Sequence, residues 1–319
     1  MVKIGLDMMG GDYAPLEAVK GIKLLLESYN LQIPFQLVCL GDEKNIAALF
    51  KEYEILDTQN VIIYPTSQVV TYHEQPTKAI KEKPDSSIFV GFKLLSENKI
   101  DAFISAGNTG AMLVGAKYFL QNIKGILRPT LATLIPKLSK KTSILLDVGL
   151  NTDCKPAYLN QFATIAHIYA TEVLKINNPI VGLLNIGEEE GKGDTLSQHT
   201  YPLLKENSAI NFKGNIEGRD IFTDNTDIIV CDGFVGNIVL KLAESLYSIA
   251  EKRNLLGDEF LQKFHYENYG GTPILGISKP VIIGHGISNH TAFANMICLA
   301  EKIHNAQFCK IMEERFTHE

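Results

Sequence analysis

Three side chains stand at glycine-lined turns where they could meet an anion or move a proton. Lys192 lies between Gly191 and Gly193, Asn237 follows Gly236, and His285 lies between Gly284 and Gly286. An ammonium beside glycines can reach a group that the backbone itself approaches closely. An imidazole there can donate to a developing oxyanion or protonate a leaving group. Two more loops lack a cation but are rich in backbone N–H: Gly10-Gly11-Asp12, and Ser105-Ala106-Gly107-Asn108-Thr109-Gly110. Glycines that open a helix make a ready site for phosphate or carboxylate. Each position also has a purely structural reading. Asn108, Asn237 and Asp12 could simply cap helices, Lys192 could be a solvated surface lysine, and His285 could be structural. A carboxylate such as Asp12 is unfavourable beside phosphate unless a cation intervenes. Arg128, ahead of Pro129, could pair with a phosphate or an acidic partner.

These loops share one context. A short apolar strand runs into glycine and polar residues, and a helix follows, at residues 4–15, 103–112, 181–194, 228–239 and 281–290. Short β-branched runs alternating with segments of helical period predict βαβ units and a mainly parallel α/β sheet. In such sheets the carboxyl ends of the strands share an edge, and ligands bind there. The pattern predicts strands near Val2–Leu6, Phe35–Leu40, Val61–Tyr64, Ala102–Ser105, Leu131–Leu134, Ser143–Asp147, Pro179–Asn185, Ile228–Cys231 and Val281–Ile283, and one closing helix over about Thr291–Glu313. No repeat or linker composition interrupts the chain, so residues 1–319 read as a single α/β catalytic domain.

Several functions are set aside by what is missing. Gly191 to Leu196 and Gly284 to Asn289 each lack the third glycine of a dinucleotide fingerprint, and no Walker A loop or Gly-x-Ser-x-Gly elbow occurs. No His/Cys cluster has zinc spacing, so neither a metal nor another cofactor is expected. A net charge of -6 argues against a general nucleic-acid binder. Five cysteines without a CxxC pair read as reduced thiols, and the first residues lack the apolar core of a signal peptide, so a cytoplasmic location is expected.

The order of several blocks is more specific: MMGGDYAP (8–15), SAGNTGAM (105–112), RPTLATLIP (128–136), LDVGLNTDCKP (146–156), VGLLNIGEEEGKG (181–193), DGFVGNIVLK (232–241) and YGGTPILG (269–276). Together they resemble the bacterial phosphate acyltransferase (acyl-ACP:phosphate acyltransferase) family of phospholipid synthesis, over nearly the whole chain. The resemblance implies a Rossmann-like three-layer sandwich related to isocitrate and isopropylmalate dehydrogenases. It also implies transfer of a long-chain acyl group from acyl carrier protein to inorganic phosphate. The family works as a homodimer at the membrane surface and supplies a membrane glycerol-3-phosphate acyltransferase. The chemistry suits the loops: phosphate is already anionic, and a thiolate leaves without strong acid help. What is needed is positioning and donors for the oxyanion. On this reading Gly10, Gly11, Asp12, Ser105, Gly107, Asn108, Thr109 and Gly110 bind phosphate, and Lys192, Asn237 and His285 assist catalysis.

Segment 248–268 is shorter and more charged than the family's usual helical pair. Its apolar set of Leu255, Leu256, Phe260, Leu261 and Phe264 either projects as a helical segment making weak peripheral membrane contact or packs inward. Lys137, Lys140 and Lys141, or Lys78, Lys81 and Lys83, are candidate patches for an acidic carrier protein. Alternative functions are a phosphate acyltransferase using short-chain acyl-CoA, an oxidoreductase on the related fold, and a non-catalytic regulator that binds carrier protein or lipid.

Overall fold

A computed structural model describes residues 1–29, 31, 33–56, 59–139 and 141–317. The chain forms two compact units, Met1–Ile123 with Tyr266–Lys310, and Lys124–His265 with Ile311–Glu319. None of the passages at 123/124, 265/266 and 310/311 has linker composition. A sequence reading therefore runs through them without a break.

The first unit opens with β1 (Val2–Asp7), α1 (Leu16–Ser28), β2 (Phe35–Gly41), α2 (Glu43–Glu52), β3 (Val61–Pro65), α3 (Pro76–Glu82), α4 (Ser87–Ser96), β4 (Ala102–Ser105) and α5 (Thr109–Phe119). The second holds β5 (Thr130–Pro136), β6 (Thr142–Leu146), α6 (Pro156–Glu172), β7 (Ile180–Leu184), α7 (Thr195–Glu206), β8 (Asn211–Ile216), β9 (Ile228–Val230), α8 (Gly233–Lys252) and the short α9 (Glu259–Gln262). The chain then returns to the first unit for β10 (Thr272–Leu275), β11 (Val281–Ile283) and α10 (His290–Asn305), and closes with α11 (Phe308–Thr317).

Strands of the first unit run in the order β3-β2-β1-β4-β11-β10, all parallel except the β10–β11 pair. Ile4 and Leu6 are wholly buried, and α4 is buried along nearly its whole length. That fits a helix apolar all round. Phe92 of α4 meets Phe103 of β4 edge-on at 5.1 Å. The second unit orders its strands β5-β6-β9-β7-β8, parallel except for β5 against β6. Both are mainly parallel α/β layers flanked by helices, as the alternation of patterns predicts.

All five strand–glycine–helix passages form as expected: β1 to α1, β4 to α5, β7 to α7, β9 to α8 and β11 to α10. Local chemistry starts most of these helices. Asn108, Asp194, Asp232 and Asn289 each accept a backbone N–H from the first turn, which satisfies groups a helix start otherwise leaves orphaned.

Elements outside the expected set are short or polar. Helix α2 buries only Ile46 and Phe50, β8 reads NFKGNI, and β10 contains a proline. The closing helix over 291–313 is two helices. Gln307 takes a left-handed φ of 51° between α10 and α11, a conformation no helix can continue through.

Candidate active site

In the first unit β1, β4 and β11 are neighbours, so three of the five glycine loops open at one edge. The chain proceeds from β1 outward to β2 and β3, then returns to lay β4 on the other side. The β1–β4 boundary is therefore a topological switch point, where open α/β sheets bind ligands. Backbone bonds link the loops directly: Asp12 N–H donates to Gly286 O at 2.7 Å, and Gly284 N–H to Ser105 O at 2.8 Å.

Beneath them lies a carboxylate to which the sequence reading assigned no role. Asp7 is 1 % exposed. It accepts the Ser105 hydroxyl at 2.6 Å and Met9 N–H at 2.9 Å, while the Ser105 oxygen accepts Gly107 N–H at 2.9 Å. Burial holds the Asp7 carboxyl above its ordinary range, opposed by these bonds. Gly10 is packed into this network. A Cβ there would stand 2.6 Å from Asp7 Oδ2 and from Gly107 N, so no side chain fits.

Ser105 and Asn108 are buried, and their side chains are engaged in structure. Asn108 Oδ1 accepts Ala111 N–H at 2.9 Å, capping α5, and its amide donates to Thr71 O at 2.9 Å. The structural bonds anticipated for Asn108 are therefore made. Asp12, Thr109 and His285 are exposed. The His285 carbonyl accepts the Ser288 hydroxyl at 2.6 Å. The Asn108 tether also brings in Tyr72, which no sequence motif marks. Its hydroxyl donates to Ala106 O at 3.1 Å. Burial, then the nearby Asp12 and Asp7 charges, push the phenol up to about 12.

The second unit repeats the device. Asp147 directly follows β6, wholly buried, and accepts N–H groups of Gly149, Leu150 and Asn151, each at 2.9 Å. The Asn151 amide adds a bond at 2.6 Å, and Asn151 O accepts Gly233 N–H at 2.7 Å. The carboxylate thereby joins the β6 loop to the start of α8, where the Asn237 side chain lies against Gly149. Burial raises the Asp147 carboxyl despite these donors. Cys154 and Cys231 lie beside it. Burial and then neighbouring carboxylates push Cys154 up to about 12 and Cys231 well above its ordinary value. Neither thiol is activated as a nucleophile.

Lys192 sits exposed on the loop after β7. Asn185 holds Lys192 O at 3.1 Å, and Gln198 holds the carbonyls of Gly191 and Gly193 at 3.1 and 3.0 Å. Two of the preceding glutamates pair elsewhere, Glu188 with Arg219 and Glu190 with Lys205, so they do not neutralise Lys192.

Other expected cations are placed differently. Lys137 is 1 % exposed and pairs with Asp227 at 2.8 Å, so it offers no docking surface. Lys140 lies outside the described residues. Lys83 pairs with Glu74, while Lys78 and Lys81 are exposed. Arg128 lies over the Tyr158 ring at 5.8 Å. In segment 248–268, Phe264 is buried and meets Phe222 and Phe260 edge-on at 5.3 and 5.0 Å, whereas Leu255 stays half exposed. No described helix is long and apolar enough to cross a membrane. Among the described residues no group of three His, Cys, Asp or Glu stands within metal-ligating reach.

A family model described as "Fatty acid synthesis protein" matches residues 2–261 and 254–311. A phosphate acyltransferase of Dictyoglomus thermophilum is 45% identical, across 95% of this chain and 94% of that protein. One of Dictyoglomus turgidum is 43% identical over 95% and 94%. The solved structure of a phosphotransacetylase from Streptococcus pyogenes superposes with a TM-score of 0.66 over 97% of this chain and 94% of that one. At 16% identity that likeness is one of fold. Full-length identity of this order, together with the family match, makes the chain a member of the phosphate acyltransferase family.

Proposed function

We propose that this acyltransferase takes a long-chain acyl group from acyl carrier protein and passes it to inorganic phosphate. The observation that carries the reading is the gathering of three glycine loops at the ends of adjacent strands β1, β4 and β11, opening beside the N-terminus of α5. A helix start offers unpaired N–H groups and positive potential to an anion.

A phosphate oxygen attacks the thioester carbonyl carbon. The C–O bond forms, the C–S bond breaks, and its electron pair leaves on the carrier sulfur. The proton released by hydrogen phosphate ends on that thiolate, so the products are acyl phosphate and free carrier thiol. Phosphate is held by the backbone of Gly11, Thr109 and Gly110, with Asp12 at the rim, while Gly10 and Gly107 shape the cradle, their N–H groups turned to Asp7 and to Ser105. Ser105 and Asn108 act by shaping the loops. His285 donates to the oxyanion or to the leaving sulfur. Lys192 and Asn237 belong to the proposed set on the strength of their motifs. Residues 1–319 act as one catalytic entity, as a cytoplasmic homodimer. It hands its product to a membrane glycerol-3-phosphate acyltransferase through weak peripheral contact.

The test supplies purified protein with a long-chain acyl carrier protein thioester and phosphate, and follows acyl phosphate and free thiol. Phosphate-dependent release of both is expected. Turnover of short-chain acyl-CoA with none of the carrier thioester, or a requirement for a nicotinamide cofactor, refutes the reading.

A further inference from the structure

We infer that Asp7 is a positioning residue for phosphate: through the Ser105 hydroxyl it sets the direction of the Gly107 N–H, and with it the entry to α5. The inference rests on the proposed phosphate role of these loops and adds a residue that the motifs did not single out.

Asp7 and Ser105 are the last residues of β1 and β4, which pair in parallel with Leu6 opposite Ile104. The register thus brings the two side chains together at the switch point. A buried carboxylate is costly and persists only where donors satisfy it. The donors to Asp7 are neutral: the Ser105 and Ser87 hydroxyls and the N–H groups of Met9 and Gly10. The 2.6 Å bond from Ser105 lies in the charge-assisted range. Because Ser105 gives its only proton to Asp7, its lone pairs point the other way, and one accepts Gly107 N–H at 2.9 Å. The Ala106–Gly107 peptide is thereby fixed one residue ahead of Asn108, which caps α5. A general packing role would not need this directionality, since an apolar side chain could fill the same volume.

Asparagine at position 7 reverses the relay. With its oxygen still accepting Met9 N–H, its amide nitrogen faces Ser105. The serine proton must turn away, and the asparagine N–H competes with Gly107 N–H for the same oxygen. Ser105→Ala cuts the same link without touching the charge.

The experiment measures steady-state kinetics of the full chain, varying phosphate and acyl carrier thioester in turn, with thermal melts of each variant. Asp7→Asn and Ser105→Ala should each raise KM for phosphate by about 10–100-fold, the scale of a small misplacement of a binding group. The KM for the thioester should stay within about twofold. The double variant should be no worse than the poorer single, because both cut one relay. Folded variants with wild-type phosphate KM overturn the inference, as do equal losses for both substrates. A lower phosphate KM in Asp7→Asn overturns it too, since relief of repulsion by the Asp7 charge would then dominate. Should Asp7→Asn fail to fold, Ser105→Ala decides alone. Calorimetric titration with inorganic phosphate separates this inference from the acyl-transfer reading. Binding by wild type that both variants lose sustains the relay even if no acyl group is transferred. Equal binding by all, or none by wild type, overturns it.

Discussion

Gly236→Ala should be among the most damaging single-methyl changes in the second unit. A Cβ at this position would lie 1.8 Å from the Asp147 carbonyl oxygen and 2.9 Å from Cys231 Sγ. Carbon and carbonyl oxygen normally approach no closer than about 3.3 Å. The start of α8 and the end of β6 must therefore part by more than about 1 Å. The obstacle is backbone, which cannot swing away as a long side chain would. Overpacking of this kind costs about 1–3 kcal/mol and occasionally more. At about 2–4 °C per kcal/mol, the melting temperature should fall by roughly 2–12 °C. Asn237 is the next residue, and a displacement of order 1 Å can cost about 100-fold in rate where a group must be held in place. Circular-dichroism melts and the thiol-release assay on the purified variant read the two effects. A variant that melts within about 1 °C of wild type and turns over at the wild-type rate refutes the packing argument.

Two further outcomes follow from buried charge. Asp227→Asn leaves the Lys137 ammonium, 1 % exposed, without its carboxylate. It should destabilise by about 3–5 kcal/mol in urea titrations, whereas Lys137→Met should cost less because the surviving carboxylate is partly exposed; equal losses would contradict this. Cys154, pushed up to about 12 by burial and then by Asp147 and Asp232, stays a thiol at neutral pH. Cys154→Ser should retain phosphate-dependent turnover, and the wild-type residue should resist iodoacetamide at pH 8, checked by mass spectrometry. Because the unfolded thiol ionises first, near 9, its contribution to stability is present below that pH and is lost as pH rises toward about 12.

Most of what could be read from the chain was local. The passages from β1, β4, β7, β9 and β11 into their helices are each written in adjacent residues: an apolar run, glycine, and then a capping side chain such as Asn108 or Asp232. Hydrophobic period and cap chemistry act within a few residues, so these signals survive without a structure. The ordered motif blocks likewise carried the family. Short or polar elements such as α2, β8 and β10 escaped because their formation depends on neighbours in the sheet more than on their own pattern.

Which loops meet was decided only by tertiary structure. Strand order sets it, and strand order is not written in any one segment. It gathers the loops of β1, β4 and β11 at one edge of the first unit, and places those of β7 and β9 side by side in the second. The same pairings turn Asp7 and Ser105, 98 residues apart, into hydrogen-bonded partners. They place Asn151 O against Gly233 N–H, and they take Lys137 from an apparent basic surface into a buried pair with Asp227. A strand-end aspartate and a lysine in a stretch with two more lysines look solvent-facing in sequence, because burial depends on what the rest of the chain lays across them.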